Sequence, residues 1–408
     1  VLSIDLETCS PALLPKVGAF KYAEHEDTQI VCMAYGFTGE AVRCWVAQSG
    51  EPLPQRVVAH VRAGGPVAAF NAGFEMAILS GHCGETIGFP KTRVSQWRDT
   101  AAKVAAHGLP RSLSNAAMAL KGIPQKDEAG RKVMLRLSKP AGLAKATSEQ
   151  LEQLYSYCVN DVTVERAIDG ALPALLPFEQ KMWELDYRTN KRGILIDLPL
   201  AQRIEALLAE YLDRKIVRCV ELTGARPSQR AVIMEWCAAQ GYPLTGYTAA
   251  DIAEALADDK APASVREVLS LRKVTALAAV KKYTSLTMCA GRDSRIRGMF
   301  LYHGAMTGRW TGRLAQLHNL ARPVLLRDDK GINSAIERIQ QGWLPVEDDG
   351  SVLPAFKDLI RSMILAPEGF ELEVSDFSSI EARVIGWMAG DVIYQRAFTE
   401  GLDLYKVT

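Results

Sequence analysis

Three stretches of the chain place acids at spacings that suit a divalent cation. In VLSIDLETCS, Asp5 and Glu7 sit one residue apart in an otherwise apolar, strand-like run. A strand turns alternate side chains to opposite faces, so Leu2, Ile4 and Leu6 share one face and Ser3, Asp5 and Glu7 the other. Two carboxylates side by side repel, and burying them unpaired is costly. Either this is an edge strand with a solvated polar face, or a hard cation lies between the acids and more oxygen ligands arrive from elsewhere. In AAFNAGFEMAIL, an apolar run ends at Asn71 and Glu75 falls in the first turns of a helix. A helix N-cap and a favourable dipole charge would explain both without any metal. In SEQLEQLYSYCVNDVTVERAI, Tyr157 and Asp161 are four apart and share a helix face. They read as a surface pair, or as a ligand with a phenol that orients water.

Two later stretches carry different chemistry. TGRWTGRLAQLHNL repeats T-G-R, setting Arg309 and Arg313 four residues apart. Glycine lets backbone approach a ligand, and arginine suits phosphates and base-edge acceptors; a loop that merely turns the chain has the same composition. In FELEVSDFSSIEARV, Leu372, Val374 and Asp376 share a strand parity, which puts an acid at the end of an apolar face. Ser378 and Glu381 have capping-box spacing for the helix that follows.

The elements that must hold these residues follow from periodicity. Strand-like runs occur at Val1–Leu6, Ile30–Phe37, Val42–Val46 and Val67–Phe70, and helix-like runs at Ser112–Lys121 and Glu149–Ile168. Thr147 with Gln150 makes a capping-box start, and Leu151, Leu154, Cys158 and Val162 form a buried stripe. That alternation reads as an α/β region up to about residue 170. From Phe178 to about Met288 the pattern is helical, interrupted by an extended RGILID at Arg192–Asp197. Strands are expected again in SRIRGMFLYHG and FELEVSD, then a helix in SSIEARVIGWM.

Bulk composition narrows the class. A chain of 408 residues calls for two or three domains. No apolar run is long enough to span a bilayer, so no membrane contact is expected. The eight cysteines form no C-x-x-C pair, which argues against zinc and a disulfide framework and for a reducing, cytoplasmic setting. Net charge is +1, yet Arg266–Arg327 carries basic residues throughout against only two acids, Glu267 and Asp293. Within this run lie Arg272, Lys273, Lys281 and Lys282. A polyanion-binding surface is expected there.

Taken together, D-x-E, N-x-x-x-E and Y-x-x-x-D resemble the three motifs of the DnaQ-like, RNase H-fold 3′–5′ exonucleases. The resemblance implies a two-metal phosphodiester hydrolase. In it Asp5, Glu7 and Asp161 hold one ion, Asp5 bridges to the second, and Glu75 acts through water. Tyr157 orients the attacking water, and Asn71 contacts substrate. Glu75 stands where many members carry Asp. TGRWTGRLAQLHNL and DFSSIEARV resemble the primer–template and palm motifs of the family A DNA polymerases, those like bacterial DNA polymerase I. VGAFKYAEHEDTQIVCMAYG looks like the phage-type branch. Here the resemblance implies that Asp376 and the Phe377 carbonyl ligand catalytic metal and Glu381 senses the incoming sugar. Arg313, supported by Asn319 and Arg309, would contact the primer, and Arg361 and Arg383 would position the nucleotide. Phe377, Ser379 and Ala382 replace the family's Tyr, Gln and Leu.

The implied architecture is an incomplete polymerase right hand. An α/β RNase H-like exonuclease domain spans 1–175, an α-helical thumb 176–292, and the start of an α+β palm 293–408, leading toward fingers. The second palm acid would follow beyond Thr408, so the stretch is expected to be part of a longer enzyme. The implied cofactors are Mg²⁺ or Mn²⁺, two ions per active site. The implied partners are primer–template DNA, a single-stranded 3′ end and dNTPs, bound by a monomer in the host cytoplasm. The 3′ end would stack near Leu6 and Phe74. The alternative is a stand-alone 3′–5′ exonuclease with a DNA-binding accessory domain.

Overall fold

A five-stranded sheet occupies the first part of the chain. Its strands are β1 (Leu2–Cys9), β2 (Gln29–Phe37), β3 (Arg43–Val46), β4 (Val67–Ala69) and β5 (Trp97–Asp99), in the order β3-β2-β1-β4-β5. β1 runs antiparallel to β2 and parallel to β4, and β4 runs parallel to β5. The Asp5/Glu7 strand is therefore central, which overturns the edge-strand reading. Its apolar parity is as expected, since Leu2, Ile4 and Leu6 all enter the core. The computed structural model describes residues 1–275, 278–320, 322–342 and 352–402.

Helix Ser148–Ala171 covers β1 and β2. Thr147 and Gln150 cap it reciprocally, with Gln150 N–H donating to Thr147 Oγ1 at 3.3 Å and Thr147 N–H to Gln150 Oε1 at 3.2 Å. Cys158 and Val162 pack on Cys32 and Ala34 of β2, and Leu154 packs beside Val31 and Leu137. Helix Leu14–Glu24 is kinked at Gly18 (φ 79°), where a Cβ would meet the Leu314 side chain at 2.7 Å. That glycine lets the loop after the second T-G-R seat against the sheet region.

Two further cores follow. One gathers Leu200, Ile204, Leu208, Tyr283, Ile296 and Phe356, and the other Cys219, Ile233, Val265 and Val268. Helix Leu198–Thr223 contributes to both. The extended RGILID supplies Ile194–Leu195, paired antiparallel with Arg295–Ile296. All eight cysteines are free thiols. Among the described residues no helix is long and apolar enough to cross a membrane.

Residues 1–365 and 366–408 form separate compact units. In the second, helices Ile380–Ala389 and Val392–Thr399 pack together through Gly386, where a Cβ would strike Tyr394 at 2.6 Å. The strand expected in FELEVSD is not formed: residues 371–377 are irregular and exposed. An isolated strand leaves its backbone donors and acceptors unpaired, whereas a helix satisfies its own. The capping box expected from Ser378 and Glu381 is also absent. The helix starts after Ser379, which has φ 52° and caps nothing with its side chain.

Candidate functional site

The C-terminal half of β1, the start of helix Gly73–Leu79 and the middle of helix Ser148–Ala171 meet around a cavity of about 670 Å³. Asp5, Glu7, Asn71, Glu75, Tyr157 and Asp161 all line it, together with Leu6 and Phe74. Three segments separated by up to 156 residues in sequence thus place every candidate of the first three motifs on one surface. The register of β1 on β2 shifts between Glu7 and Thr8. Such a bulge re-aims side chains, and here it falls at the second acid.

Asn71 is not an N-cap. The helix is preceded by Ala72, which has no side-chain cap, and Asn71 adopts a left-handed φ of 70° that asparagine tolerates better than most residues. Its backbone N–H donates to Asp99 Oδ1 at 3.2 Å. Asp99 also caps helix Thr100–Ala106 through Ala102 N–H (3.0 Å) and accepts from Trp183 Nε1 (3.1 Å). This buried acid sets the strand end that presents Asn71, and sequence reasoning missed it. The R-D-T stretch before the helix held an N-cap signal, but nothing pointed to Trp183.

The cavity's acids are held above the ordinary carboxylate range. Burial and then the Asp161 charge push Asp5 up to about 7. Burial and the neighbouring Asp5 raise Glu7 and Glu75 as well, and burial raises Asp161 despite the Lys126 ammonium beside it. Burial and then Asp161 raise the Tyr157 phenol, so it stays a neutral donor. Glu75 Oε2 and Asp161 Oδ1 are buried with no hydrogen-bond partner among the described residues.

Two contacts were not expected. Cys158, read only as part of the buried stripe, points its thiol at Asp5 Oδ2 (3.4 Å). Asp5, Glu7 and Cys158 offer ligand atoms all within 4.8 Å of one another. Burial keeps this thiol far above its usual range, so it is a neutral donor to Asp5 and not a thiolate ligand. The second is Lys126, whose Nζ lies 2.6 Å from Asp161 Oδ2. The cavity's donors are carboxylate oxygens, the set that hard divalent cations prefer. With two of those oxygens buried and unsatisfied, the residues present fit such an ion.

A neighbouring cavity of about 370 Å³ shares Leu14, Pro15, Asn71 and Phe74 with the first and is lined by Arg111, Asp186, Tyr187 and Arg313. Arg111 donates to the Tyr302 carbonyl (2.8 Å) and acts electrostatically on Arg313. Arg309 and Asn319 are exposed on the same loop system, and Asn319 Nδ2 donates to Gln316 Oε1 (3.4 Å). Arg361 donates to the Leu320 carbonyl (2.8 Å).

The basic thumb residues divide. Lys273 and Lys281 are exposed. Arg272 stacks over Tyr247 (5.2 Å), and Lys282 donates to the Ala315 carbonyl (3.0 Å), bracing the loop after the second T-G-R. In the second unit Asp376, Phe377 and Glu381 are exposed. Arg383 donates to the Ser378 carbonyl (2.7 Å) and stacks over Phe398 (4.3 Å), so its guanidinium is engaged inside its own unit.

Comparison with known proteins finds DNA polymerases among those this chain resembles. The DNA polymerase of Bacillus phage SP02 is 33% identical over 425 residues, covering 100% of this chain and 64% of that protein. The POL domain of Pol1 from M. smegmatis, solved in complex with DNA primer-template and dNTP, matches with a TM-score of 0.51 and 16% identity, over 100% of this chain and 62% of that one. The second likeness is one of fold. In both cases the chain spans less than two thirds of its counterpart. No protein-family model matches.

Proposed function

We propose, from the premise that this chain is along its whole length a relative of a phage DNA polymerase, that it serves template-directed DNA synthesis in phage replication and carries the polymerase's 3′–5′ proofreading exonuclease. The observation that carries the exonuclease is the meeting of Asp5, Glu7, Glu75 and Asp161 at one cavity. The polymerase reading rests on the relative and on the T-G-R and DFSSIEAR motifs. In this reading residues 1–175 are an RNase H-like exonuclease, 176–292 the thumb and 293–408 the palm entry of a family A enzyme.

Asp5, Glu7 and Asp161 would hold one Mg²⁺ or Mn²⁺, with Asp5 shared to a second that Glu75 reaches through water. Such a pair, when bound, activates water and stabilises the leaving oxygen of an in-line displacement. The chain's own groups do the rest. Tyr157, kept neutral, donates toward the attacking water. Cys158 steadies the Asp5 carboxylate from behind. Asn71, fixed through Asp99, borders the strand's path, while half-buried Phe74 offers apolar surface to its terminal base and Leu6, buried in the core, only backs the cavity wall. In the second unit Asp376 and the Phe377 carbonyl would hold metal for synthesis, and Glu381 would discriminate the sugar. Lys273, Lys281, Arg309, Arg313 and Asn319 are the residues proposed to meet primer–template DNA. Arg272 and Lys282 support them; Arg383 would position the nucleotide from within its own unit, and Arg361 is a further candidate for that role.

The test is a gel assay on a 5′-labelled primer annealed to a longer template. Shortening from the 3′ end with Mg²⁺, none with EDTA, and none with Asp5→Ala/Glu7→Ala are expected. Hydrolysis surviving that double substitution would remove the cavity from the chemistry. Asp376→Ala should abolish primer extension by the intact protein.

A further inference from the structure

Lys126 is a half-buried cation that lines the carboxylate cavity and touches its acids. It lies in the irregular stretch between helices Leu113–Ala119 and Glu128–Leu137. Its side chain is 16% exposed and that of Asp161 10%, and their charged atoms are 2.6 Å apart. The ammonium also sits 4.9 Å from the centre of the Tyr157 ring. The backbone on both sides of it is tied to the residue before Asp161. Asn160 Oδ1 accepts from Asp127 N–H (3.1 Å), and Asn160 Nδ2 donates to the Gln125 carbonyl (3.4 Å). These bonds fix the Cα of Lys126 beside the cavity and leave its long side chain to choose a partner.

That choice has a chemical consequence. Asp161 has one oxygen on Lys126 and the other unsatisfied. The atoms that lie within 4.8 Å of one another belong to Asp5, Glu7 and the Cys158 thiol, and Asp161 is not among them. A divalent ion that recruits Asp161 must compete with the ammonium for it. Once displaced, the ammonium remains in a cavity through which, on the reading above, a phosphodiester passes. A flexible point charge suits that second partner.

We propose that Lys126 is a displaceable counter-cation and positioning residue. It holds Asp161 until a divalent ion takes that carboxylate, and it then turns to the phosphate of the DNA strand. The inference rests on the exonuclease reading of the same cavity.

The test is a Mn²⁺ titration at pH 8 without DNA, by calorimetry or by the electron paramagnetic resonance of free Mn²⁺. Wild type, Lys126→Met and Lys126→Gln are compared. Removing the competitor should tighten Mn²⁺ binding by about tenfold. The same variants should melt at lower temperature than wild type in EDTA, and saturating Mn²⁺ should close that gap, because ligand binding stabilises the form that binds it. Their affinity for a single-stranded oligonucleotide in Ca²⁺ should fall severalfold. Unchanged or weaker Mn²⁺ binding by a folded variant would overturn the proposal, because an ammonium that must leave Asp161 for the ion to bind weakens that binding. Should Lys126→Met fail to fold, Lys126→Gln decides. If wild type binds no Mn²⁺ while remaining folded, the metal reading beneath the proposal fails, and the proposal with it.

Discussion

The two sets of acids meet opposite surroundings. Asp5, Glu7, Glu75 and Asp161 stand on a central strand and two helices, and three of the four are buried residues. Asp376 sits on irregular, exposed backbone among exposed apolar side chains, with Val374 94% and Phe377 77% accessible. The first set owes its burial to hydrogen-bonded neighbours. β1 has partners on both sides, and Asp99 fixes Asn71. The second set has a good helix but no ladder for FELEVSD among the described residues. An alternating apolar strand pattern becomes a strand only where another strand supplies its hydrogen bonds. A motif's residues can therefore be right while its surroundings depend on contacts from elsewhere.

The largest effect that separates the two sets is on hydrolysis. Asp5→Ala/Glu7→Ala removes metal stabilisation worth several kcal/mol, so 3′ hydrolysis should drop by about 10³-fold or more while oligonucleotide binding in EDTA persists. Asp376→Ala should instead act on primer extension. Equal loss of both activities from either change would erase the distinction between the sets.

A pH dependence comes next. Burial and then the Asp161 charge push Asp5 up to about 7 from an ordinary 3.8. Between those values the folded chain keeps a proton that the unfolded chain has lost. Without metal, stability should therefore fall as pH rises through this window. Glu7, Glu75 and Asp161 shift the same way, so they add to it. Thermal melts in EDTA at pH 5 and pH 8 read it, and saturating Mn²⁺ should reverse the trend at the higher pH. A metal-free melting temperature that stays level over this range would mean that the acids are solvated, and one that climbs would mean that the fold favours their charged forms.

Smaller effects probe the supports. Arg313→Gln should weaken duplex binding and lower the salt slope by about 1 if its guanidinium meets a phosphate. A parallel shift with unchanged slope would make it a structural residue. Thr147→Ala removes the cap of the helix that carries Asp161 and should cost about 1 kcal/mol in a denaturant melt. No change would show the helix to be held by packing alone.

Much of the first site was legible because periodicity fixes local elements. The parity of β1, the Thr147–Gln150 capping box and the Leu154–Cys158–Val162 stripe all appear in the fold. What periodicity does not carry is who lies across a cavity. Lys126 reaches Asp161 from 35 positions away, and Asp99 joins Asn71 to Trp183 through side chains that no local spacing marks. β5, three residues long, is too short to announce itself. Nothing local marks Gly18, whose side-chain space is taken by Leu314 from a distant part of the chain. FELEVSD shows the converse, a clear local pattern whose outcome depends on a partner strand.

On the reading proposed above, the Asp5/Glu7/Glu75/Asp161 cavity holds two divalent cations. Crystals grown with Mn²⁺ and measured at an anomalous wavelength test it most directly. Two peaks are expected in this cavity, about 3.5–4 Å apart as two-metal sites require, with Lys126 moved off Asp161. A cavity without an anomalous peak in a fully Mn²⁺-equilibrated crystal, with Lys126 still on Asp161, would contradict it.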